Sequence, residues 1–202
     1  MFITFEGPDG SGKSTILKKV YDTLKAENIP VVKTREPGGT EISEKIRDII
    51  LDNSNIALSA RAEALLYAAS RAQLVDEFIR PNLEKGNIVL SDRFLLSSLA
   101  YQGYGRSLGV DKIRTINEFA VSEIKADIVL FFNISPDLTL ERKAKEFKLD
   151  RLEEEDSDFH KRVYNGYMDL SKSEDNIYII DASKSIGEVY RQCMEVIKGG
   201  IK

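Results

Sequence analysis

The sequence predicts an α/β fold: a three-layer, doubly wound sheet of five parallel strands with helices on both faces. Five short runs rich in β-branched and aromatic residues alternate with segments of helical periodicity. Most of these runs are apolar on both faces, as strands are when helices cover a parallel sheet from both sides. The runs are Phe2–Glu6, Val31–Thr34, Ile88–Asp92, Ile128–Phe132 and Ile177–Asp181. Ligands of such a sheet bind beyond the carboxyl ends of its strands.

Helical patterns lie between the strands. Apolar residues recur at helical spacing in two segments: Ile42, Ile46, Ile49 and Ile50 in one, and Ile186, Val189, Tyr190, Cys193 and Ile197 in the other. Pro136 follows Ser135 and is typical of the first turn of a further helix. The connection from Thr34 to Ile88 has room for two helices, at about 41–53 and 60–81, where a second substrate pocket could be built.

Composition and charge narrow the class of protein. The 202 residues suit one domain covering 1–202. The net charge of −4 argues against a non-specific nucleic-acid binder, which usually carries a basic excess. No apolar run approaches the roughly 20 residues that span a bilayer, and the N-terminal residues lack the pattern of a signal peptide. The one cysteine, Cys193, fits a reducing compartment, so we expect a cytoplasmic protein without a membrane partner.

The first strand leads into a phosphate-binding motif. Residues 7–14 match G-x-x-x-x-G-K-[ST], the P-loop, with the required strand before it and a helical stretch after it. The expected nucleotide-binding residues are Gly7, Pro8, Asp9, Gly10, Ser11, Gly12, Lys13, Ser14 and Thr15. This motif predicts a nucleoside triphosphate with Mg²⁺, without choosing between a kinase, a GTPase and a motor.

Each residue type in the motif has a physical role. The three glycines permit backbone angles that turn successive N–H groups inward to form an anion nest. The helix that begins near Lys13 adds the positive end of its dipole. Lys13 can reach the β- and γ-phosphates, and the Ser14 hydroxyl can bind Mg²⁺.

Later segments favour a kinase. A GTPase should carry N-K-x-D after a later strand, but Asn133-Ile134-Ser135-Pro136 follows Ile128–Phe132, and the chain is short for a motor. A transfer between two phosphates needs cations on both sides of the moving phosphoryl group, and the planar fork of arginine grips two phosphate oxygens at once. Arg35 and Arg93 each directly follow a predicted strand, so we expect both to face the P-loop.

Several ordered segments resemble the signature segments of bacterial thymidylate kinases, a family of nucleoside-monophosphate kinases with a P-loop. They are Thr34-Arg35-Glu36-Pro37-Gly38-Gly39-Thr40, Leu66-Tyr67-Ala68-Ala69-Ser70-Arg71, Asp92-Arg93-Phe94, Ala100-Tyr101-Gln102-Gly103 and Asp150-Arg151-Leu152-Glu153. With the P-loop, the resemblance covers nearly the whole chain. It implies transfer of the γ-phosphoryl group of ATP to dTMP in dTTP synthesis, with Mg²⁺, by a homodimer.

The resemblance also implies roles for single residues. Asp9 would lie near the deoxyribose 3′-hydroxyl and the acceptor phosphate, although a loop-capping role is an alternative. Arg35 and Arg93 would hold the acceptor phosphate, and Asp92 would act near Mg²⁺, which makes Ser14 and Asp92 the expected metal residues.

The same resemblance assigns the nucleoside end of the site. Tyr67 would stack on thymine and Arg71, one helical turn on, would hydrogen-bond a thymine carbonyl. Ser98 would lie in the region that meets the thymine ring edge, and Gln102 is a further expected substrate-binding residue. Tyr101 would pack against the sugar and disfavour a 2′-hydroxyl. Without the resemblance, a core aromatic residue explains Tyr67 equally well, and packing is the more common explanation of a tyrosine such as Tyr101.

The charged stretch from Glu141 to Arg162 resembles the family's mobile lid, a short helical segment at about 141–158. Gly10 stands where one branch of the family has a basic P-loop residue, so the lid should supply the catalytic cation. The basic candidates are Arg142, Lys143, Lys145, Lys148 and Arg151, of which Arg142 and Arg151 are preferred, alongside Lys13, Asp92 and Arg93 as catalytic residues.

Two other functions stay open. One is a P-loop kinase that acts on another nucleotide or on a deoxynucleoside. The other is an ATP-binding module without catalysis, against which the set of Lys13, Ser14, Asp92 and Arg93 argues.

Overall fold

The computed structural model describes residues 1–143, 150–172 and 176–201. The strands are β1 Phe2–Glu6, β2 Val31–Arg35, β3 Ile88–Asp92, β4 Ile128–Asn133 and β5 Ile177–Asp181. The helices are α1 Lys13–Ala26, α2 Glu41–Leu51, α3 Ala60–Leu74, α4 Arg80–Glu84, α5 Leu95–Ser98, α6 Val110–Val121, α7 Pro136–Lys143, α8 Ser157–Leu170 and α9 Ile186–Gly200. Two π-helical segments, Val75–Ile79 and Leu99–Gly105, complete the elements.

The strands form one parallel sheet in the order β2-β3-β1-β4-β5, which confirms the predicted α/β class. β2 and β4 each extend one residue beyond the prediction because Arg35 pairs with Asp92 and Asn133 pairs with Asp181. β1 lies at the centre of the sheet, so the P-loop that follows it starts between the ends of β3 and β4.

Helices cover both faces of this sheet. Ile3 and Phe5 of β1 point to one face, where they belong to a buried cluster with side chains of α1 and α9. Phe131 of β4 points to the other face and stacks on Tyr167 of α8, with ring centroids 5.1 Å apart. The alternation of β1 and β4 side chains between two apolar layers explains why most residues of these strands are apolar on both faces.

The long connection between β2 and β3 contains the two predicted helices, α2 and α3. The side chains of Thr40 and Ser59 cap them by accepting hydrogen bonds from Ser43 N and Ala62 N. The second predicted helix is divided into three consecutive helical segments: α3, the π-helical segment Val75–Ile79 and α4.

The other π-helical segment, Leu99–Gly105, was not predicted. It places Tyr101 and Gln102 in the wall of a cleft that Ser97 and Ser98 of α5 also line. π-Helical geometry is frequent at functional sites.

The lid is described at its two ends only. α7 leads into it and α8 follows it, while Lys145 and Lys148 lie outside the described residues. Within the described part of the chain, no helix is both long and apolar enough to cross a membrane.

Candidate active site

The P-loop turn depends on glycine geometry at its start. Gly7 has φ +140°, and a Cβ there would lie 2.8 Å from the Phe132 carbonyl oxygen, so a side chain would force β1 and β4 apart. Gly10 and Gly12 also have positive φ, and α1 begins directly after Gly12. The backbone therefore turns over the N-terminus of α1, where anions bind.

Lys13 and Arg93 meet at the carboxylate of Asp9. Lys13 Nζ lies 3.2 Å from Asp9 Oδ1, and Arg93 Nη2 donates to the same oxygen at 2.5 Å. Tyr101 OH donates to Asp9 Oδ2 at 3.1 Å. A cation of the P-loop and a cation from the end of β3 thus lie within reach of the same small group.

Ser14 and Asp92, the residues predicted to bind a metal ion, lie in direct contact. The Ser14 hydroxyl donates to Asp92 Oδ2, while Asp92 Oδ1 is buried with no hydrogen-bond partner among the described residues. An orphaned carboxylate oxygen beside a hydroxyl fits a hard cation such as Mg²⁺. Among the described residues, no group of three or more His, Cys, Asp or Glu side chains is placed to hold a metal, so phosphate and water would have to complete the coordination.

One cleft contains all eight residues that were predicted to bind the substrate. They are Asp9, Arg35, Tyr67, Arg71, Arg93, Ser98, Tyr101 and Gln102, and Lys13, Ser14 and Asp92 line the same cleft. Arg35 and Arg93 come together because β2 and β3 are neighbours in the sheet and end side by side. Arg35 is half-exposed and pairs with Glu44 at 2.8 Å.

Sequence reasoning missed seven further residues that line the cleft: Glu36, Pro37, Arg47, Leu51, Ser97, Asp150 and Leu152. Four of them lie inside the signature segments 34–40 and 150–153, so their position in the sequence could have found them. Arg47 lies on α2 and donates to the Pro37 carbonyl at 2.8 Å. The isoleucine spacing of α2 predicts the helix and its apolar face, but it does not indicate that Arg47 reaches the cleft.

Arg71 is buried and its guanidinium is held on every side. Its donors reach Glu36 Oε2, Ser98 Oγ, Asn117 Oδ1 and the Phe94 carbonyl. Burial raises the pKa of Glu36, although Arg71 acts in the opposite direction. A base carbonyl that reaches Arg71 must therefore share one of these N–H groups.

The two tyrosines of the cleft stay neutral. Burial raises the pKa of Tyr67 and of Tyr101 above the ordinary value, with nearby carboxylates acting in the same direction. Tyr67 packs against the buried cluster that contains Ala64 and Tyr101, so its ring forms part of the cleft wall.

The structure separates the two preferred lid arginines. Arg142 Nη1 lies 3.4 Å from the Gly10 carbonyl oxygen and Nη2 lies 3.2 Å from that of Ala182, beside the P-loop. Arg151 instead donates to Glu63 Oε2 at 2.6 Å and to the Ile50 carbonyl at 2.8 Å. Arg151 is thus held by the buried Glu63 carboxylate and, unlike its neighbours Asp150 and Leu152, is not among the residues that line the cleft with Lys13.

Comparison with known proteins finds similar sequences over nearly the whole chain. The family model described as thymidylate kinase matches residues 5–193. A thymidylate kinase of Finegoldia magna is 60% identical over 198 residues, which is 98% of each chain. Thymidylate kinases of Thermosipho africanus, 48% identical over 98% of each chain, and Clostridium novyi, 46% identical over 100% of this chain and 98% of the relative, are also similar.

Proposed function

This chain belongs to the thymidylate kinase family and is a dTMP kinase that forms dTDP, and we propose that its cleft binds ATP at the P-loop with dTMP facing it. One observation carries the proposal: Lys13, the donor cation, and Arg93, the acceptor cation, both contact Asp9 Oδ1. Two phosphates bound to these cations would be close enough for direct transfer.

On the donor side, the glycine turn and the N-terminus of α1 bind the phosphates of ATP, with Lys13 at the β- and γ-phosphates. Arg142, which lies beside Gly10, supplies a further cation. Ser14 and Asp92 would hold Mg²⁺. When bound, this ion neutralises charge on the phosphate oxygens.

On the acceptor side, Arg93 and Arg35 hold the dTMP phosphate, and Arg47 adds a third cation at the wall of the cleft. The phosphate replaces Asp9 as the anion that faces Arg93, which leaves Asp9 and Tyr101 to the sugar. The thymine ring stacks on Tyr67, and its edge meets three side chains: Arg71, Ser98 and Gln102.

The transfer needs no protein nucleophile. An oxygen of the dTMP phosphate forms a bond to the γ-phosphorus, and the bond from that phosphorus to the β–γ bridging oxygen breaks. ADP leaves with the electron pair. Lys13, Arg93 and Arg142 stabilise the charge that spreads over the transferred group, so positioning and electrostatics supply the rate.

The decisive experiment is an ADP-release assay with dTMP, dUMP, dCMP and dGMP as acceptors. We expect the fastest turnover on dTMP, and faster turnover on another acceptor would overturn the assignment of the base pocket. Lys13→Ala should lower kcat about 100-fold or more while the Kd for dTMP changes little. Lys45→Ala, which removes an exposed cation on α2, is the matched control and should leave kcat unchanged.

Arg71→Ala should weaken dTMP binding about 100-fold or more and leave ATP binding nearly intact, because Arg71 lies at the base end of the cleft. A loss of ATP affinity instead would contradict the orientation of the two nucleotides. Isothermal titration with each nucleotide alone separates these outcomes.

The proposed assembly is a homodimer through the outer faces of α2, α3 and α6, which pack side by side. Each of these helices exposes a large apolar side chain: Ile42, Leu65 and Phe119, the last of them 90% exposed. Leu65→Asp should give a monomer in analytical ultracentrifugation; a wild-type monomer would overturn the proposal. The cytoplasmic location and the lack of a nucleic-acid partner stay predictions.

A further inference from the structure

We propose that Glu6 is a positioning residue for Arg93: from behind the cleft it holds both the main chain and the guanidinium of this arginine, and so sets the affinity for the acceptor phosphate. The inference rests on the proposed function, in which Arg93 binds the phosphate of dTMP. Glu6 itself does not line the substrate cleft, so its effect must pass through other groups.

The first link is to the main chain. Glu6 is the last residue of β1 and is fully buried, and its Oε1 accepts a hydrogen bond from Phe94 N at 2.8 Å. Arg93, the preceding residue, has φ +73°, a left-handed value that costs free energy in a residue other than glycine. The hydrogen bond to Glu6 therefore anchors the turn that aims Arg93 into the cleft.

The second link is to the side chain. Ser97 Oγ donates to Glu6 Oε2 at 2.5 Å and accepts from Arg93 Nη1 at 2.9 Å. The Ser97 hydroxyl has one proton. When it donates this proton in a hydrogen bond to an ionised Glu6, its oxygen is free to accept hydrogen bonds from Arg93 and from Tyr167 OH, which lies 2.8 Å away. A single hydroxyl thus transmits the charge of Glu6 to Arg93.

Glu6 also lines a second cavity, which shares no lining residue with the substrate cleft. This cavity, of about 260 Å³, is lined by Thr4, Glu6, Phe94 and Val129 among others, and it has room for several water molecules. Thr4 Oγ1 is buried there without a hydrogen-bond partner among the described residues. The cavity gives protons a route to Glu6 that bound dTMP does not block.

The surroundings of Glu6 make its charge depend on pH. Burial raises its pKa to about 7, against the opposing effects of the Ser97 hydrogen bond, Arg93 and Arg71 and with the help of Glu36. The other charged or titratable groups facing it are Tyr167 on α8 and, around the second cavity, Arg114 and Glu118 on α6 and Lys125 before β4. The hold on Arg93 is therefore strongest above about pH 7, where Glu6 is ionised.

The test is Glu6→Gln, which keeps the shape but cannot ionise: its amide oxygen can still accept from Phe94 N, whereas its NH₂ group can only donate to Ser97 Oγ. The KM for dTMP, the KM for ATP and kcat are measured from about pH 6 to about pH 8.5. We expect the KM for dTMP of the variant to exceed that of the wild type about tenfold at pH 8 and to be nearly equal to it at pH 6, with the KM for ATP unchanged. The ionisation of dTMP itself cancels in this ratio. A ratio that is constant with pH, or a matching rise in the KM for ATP, would overturn the inference.

A second variant, Ser97→Ala, keeps the inference testable if Glu6→Gln folds poorly. Ser97→Ala leaves the carboxylate but removes the link, so it should raise the KM for dTMP similarly, and the double variant should be no worse than the worse single one. Additive effects would contradict a shared path. Glu118→Gln is the matched control: it removes a carboxylate at the rim of the same cavity and should leave the pH profile unchanged.

Arg93→Lys separates this inference from the proposed function. If Arg93→Lys leaves the KM for dTMP unchanged, the acceptor role of Arg93 fails and the inference fails with it. If Arg93→Lys raises that KM and Glu6→Gln does not, the inference alone is overturned.

Discussion

Two carboxylates, Glu63 and Glu6, are both fully buried but meet opposite surroundings. Glu63 on α3 accepts hydrogen bonds from Arg106, Arg151 and Gln102 at 2.6 to 3.2 Å. Burial acts to raise its pKa, but these three donors outweigh burial and hold the pKa below the ordinary value. Glu6 accepts from a serine hydroxyl and a main-chain N–H, and burial raises its pKa to about 7.

The difference shows that burial alone does not decide whether a carboxylate is charged. Charged donors in direct contact keep Glu63 ionised, and it joins α3 to the segment that contains Arg151. Neutral donors leave Glu6 near its titration point, beside an arginine of the cleft. The first group is suited to a permanent anchor and the second to a group whose charge matters for function.

The largest expected effect comes from removing the anchor. Glu63→Ala leaves the guanidinium groups of Arg106 and Arg151 without their buried counter-ion, and should lower the free energy of unfolding by about 3–5 kcal/mol. Glu155→Ala removes a more exposed partner of Arg106 and should cost about 1 kcal/mol or less. Urea unfolding of both variants checks this; equal losses would show that Glu63 is no special anchor.

Glu6→Gln, in contrast to Glu63→Ala, should raise the free energy of unfolding at high pH. The pKa of Glu6 in the folded protein is about 7 against an ordinary 4.5, so the folded state binds this proton more tightly between these values. The contribution of the Glu6 carboxyl group to the free energy of unfolding is fully present below about pH 4.5, and it is lost as the pH rises through about 7. The variant has a neutral side chain at every pH and keeps this contribution. Its free energy of unfolding should therefore exceed that of the wild type by on the order of 3 kcal/mol at pH 8.

The measurement is the free energy of unfolding of both proteins at about pH 5 and about pH 8. The gain should shrink strongly at the lower pH. A difference that does not change with pH would mean that Glu6 does not titrate in this range. A variant that is more stable yet binds dTMP less well would show stability exchanged for function.

The smallest effect is expected from Arg151→Met. Glu63 keeps Arg106 and Gln102, so the loss of stability should be about 1–3 kcal/mol. Because Arg151 pairs with Glu63 and does not line the cleft, kcat should stay within about threefold, whereas the KM for dTMP should rise since its neighbours Asp150 and Leu152 line the cleft. Steady-state kinetics decide between this anchor and a catalytic cation, whose loss would lower kcat about 100-fold or more.

Arg142→Met is the companion to Arg151→Met. Arg142 lies beside Gly10, so its loss should lower kcat/KM for ATP rather than stability. Unchanged kcat/KM would contradict its placement on the donor side.

Much of the cleft followed from local sequence. The P-loop is contiguous, and Arg35 and Arg93 directly follow strands, so a parallel sheet necessarily brings them to one edge. Tyr67 and Arg71 lie one turn apart on α3 and share a face for the same kind of reason. Contacts set by the period of one element, or by the polarity of one sheet, require no knowledge of distant packing.

The sequence by itself thus determined the α/β class, the anion cradle and the family. Only the tertiary structure decided which of two arginines in one charged stretch lies at the P-loop, and which buried carboxylates are ionised. Arg142 and Arg151 look alike in sequence, but Arg151 is held by Glu63, 88 positions away. The free energy of a buried charge depends on the groups that surround it in space, and that environment exists only once distant segments have packed.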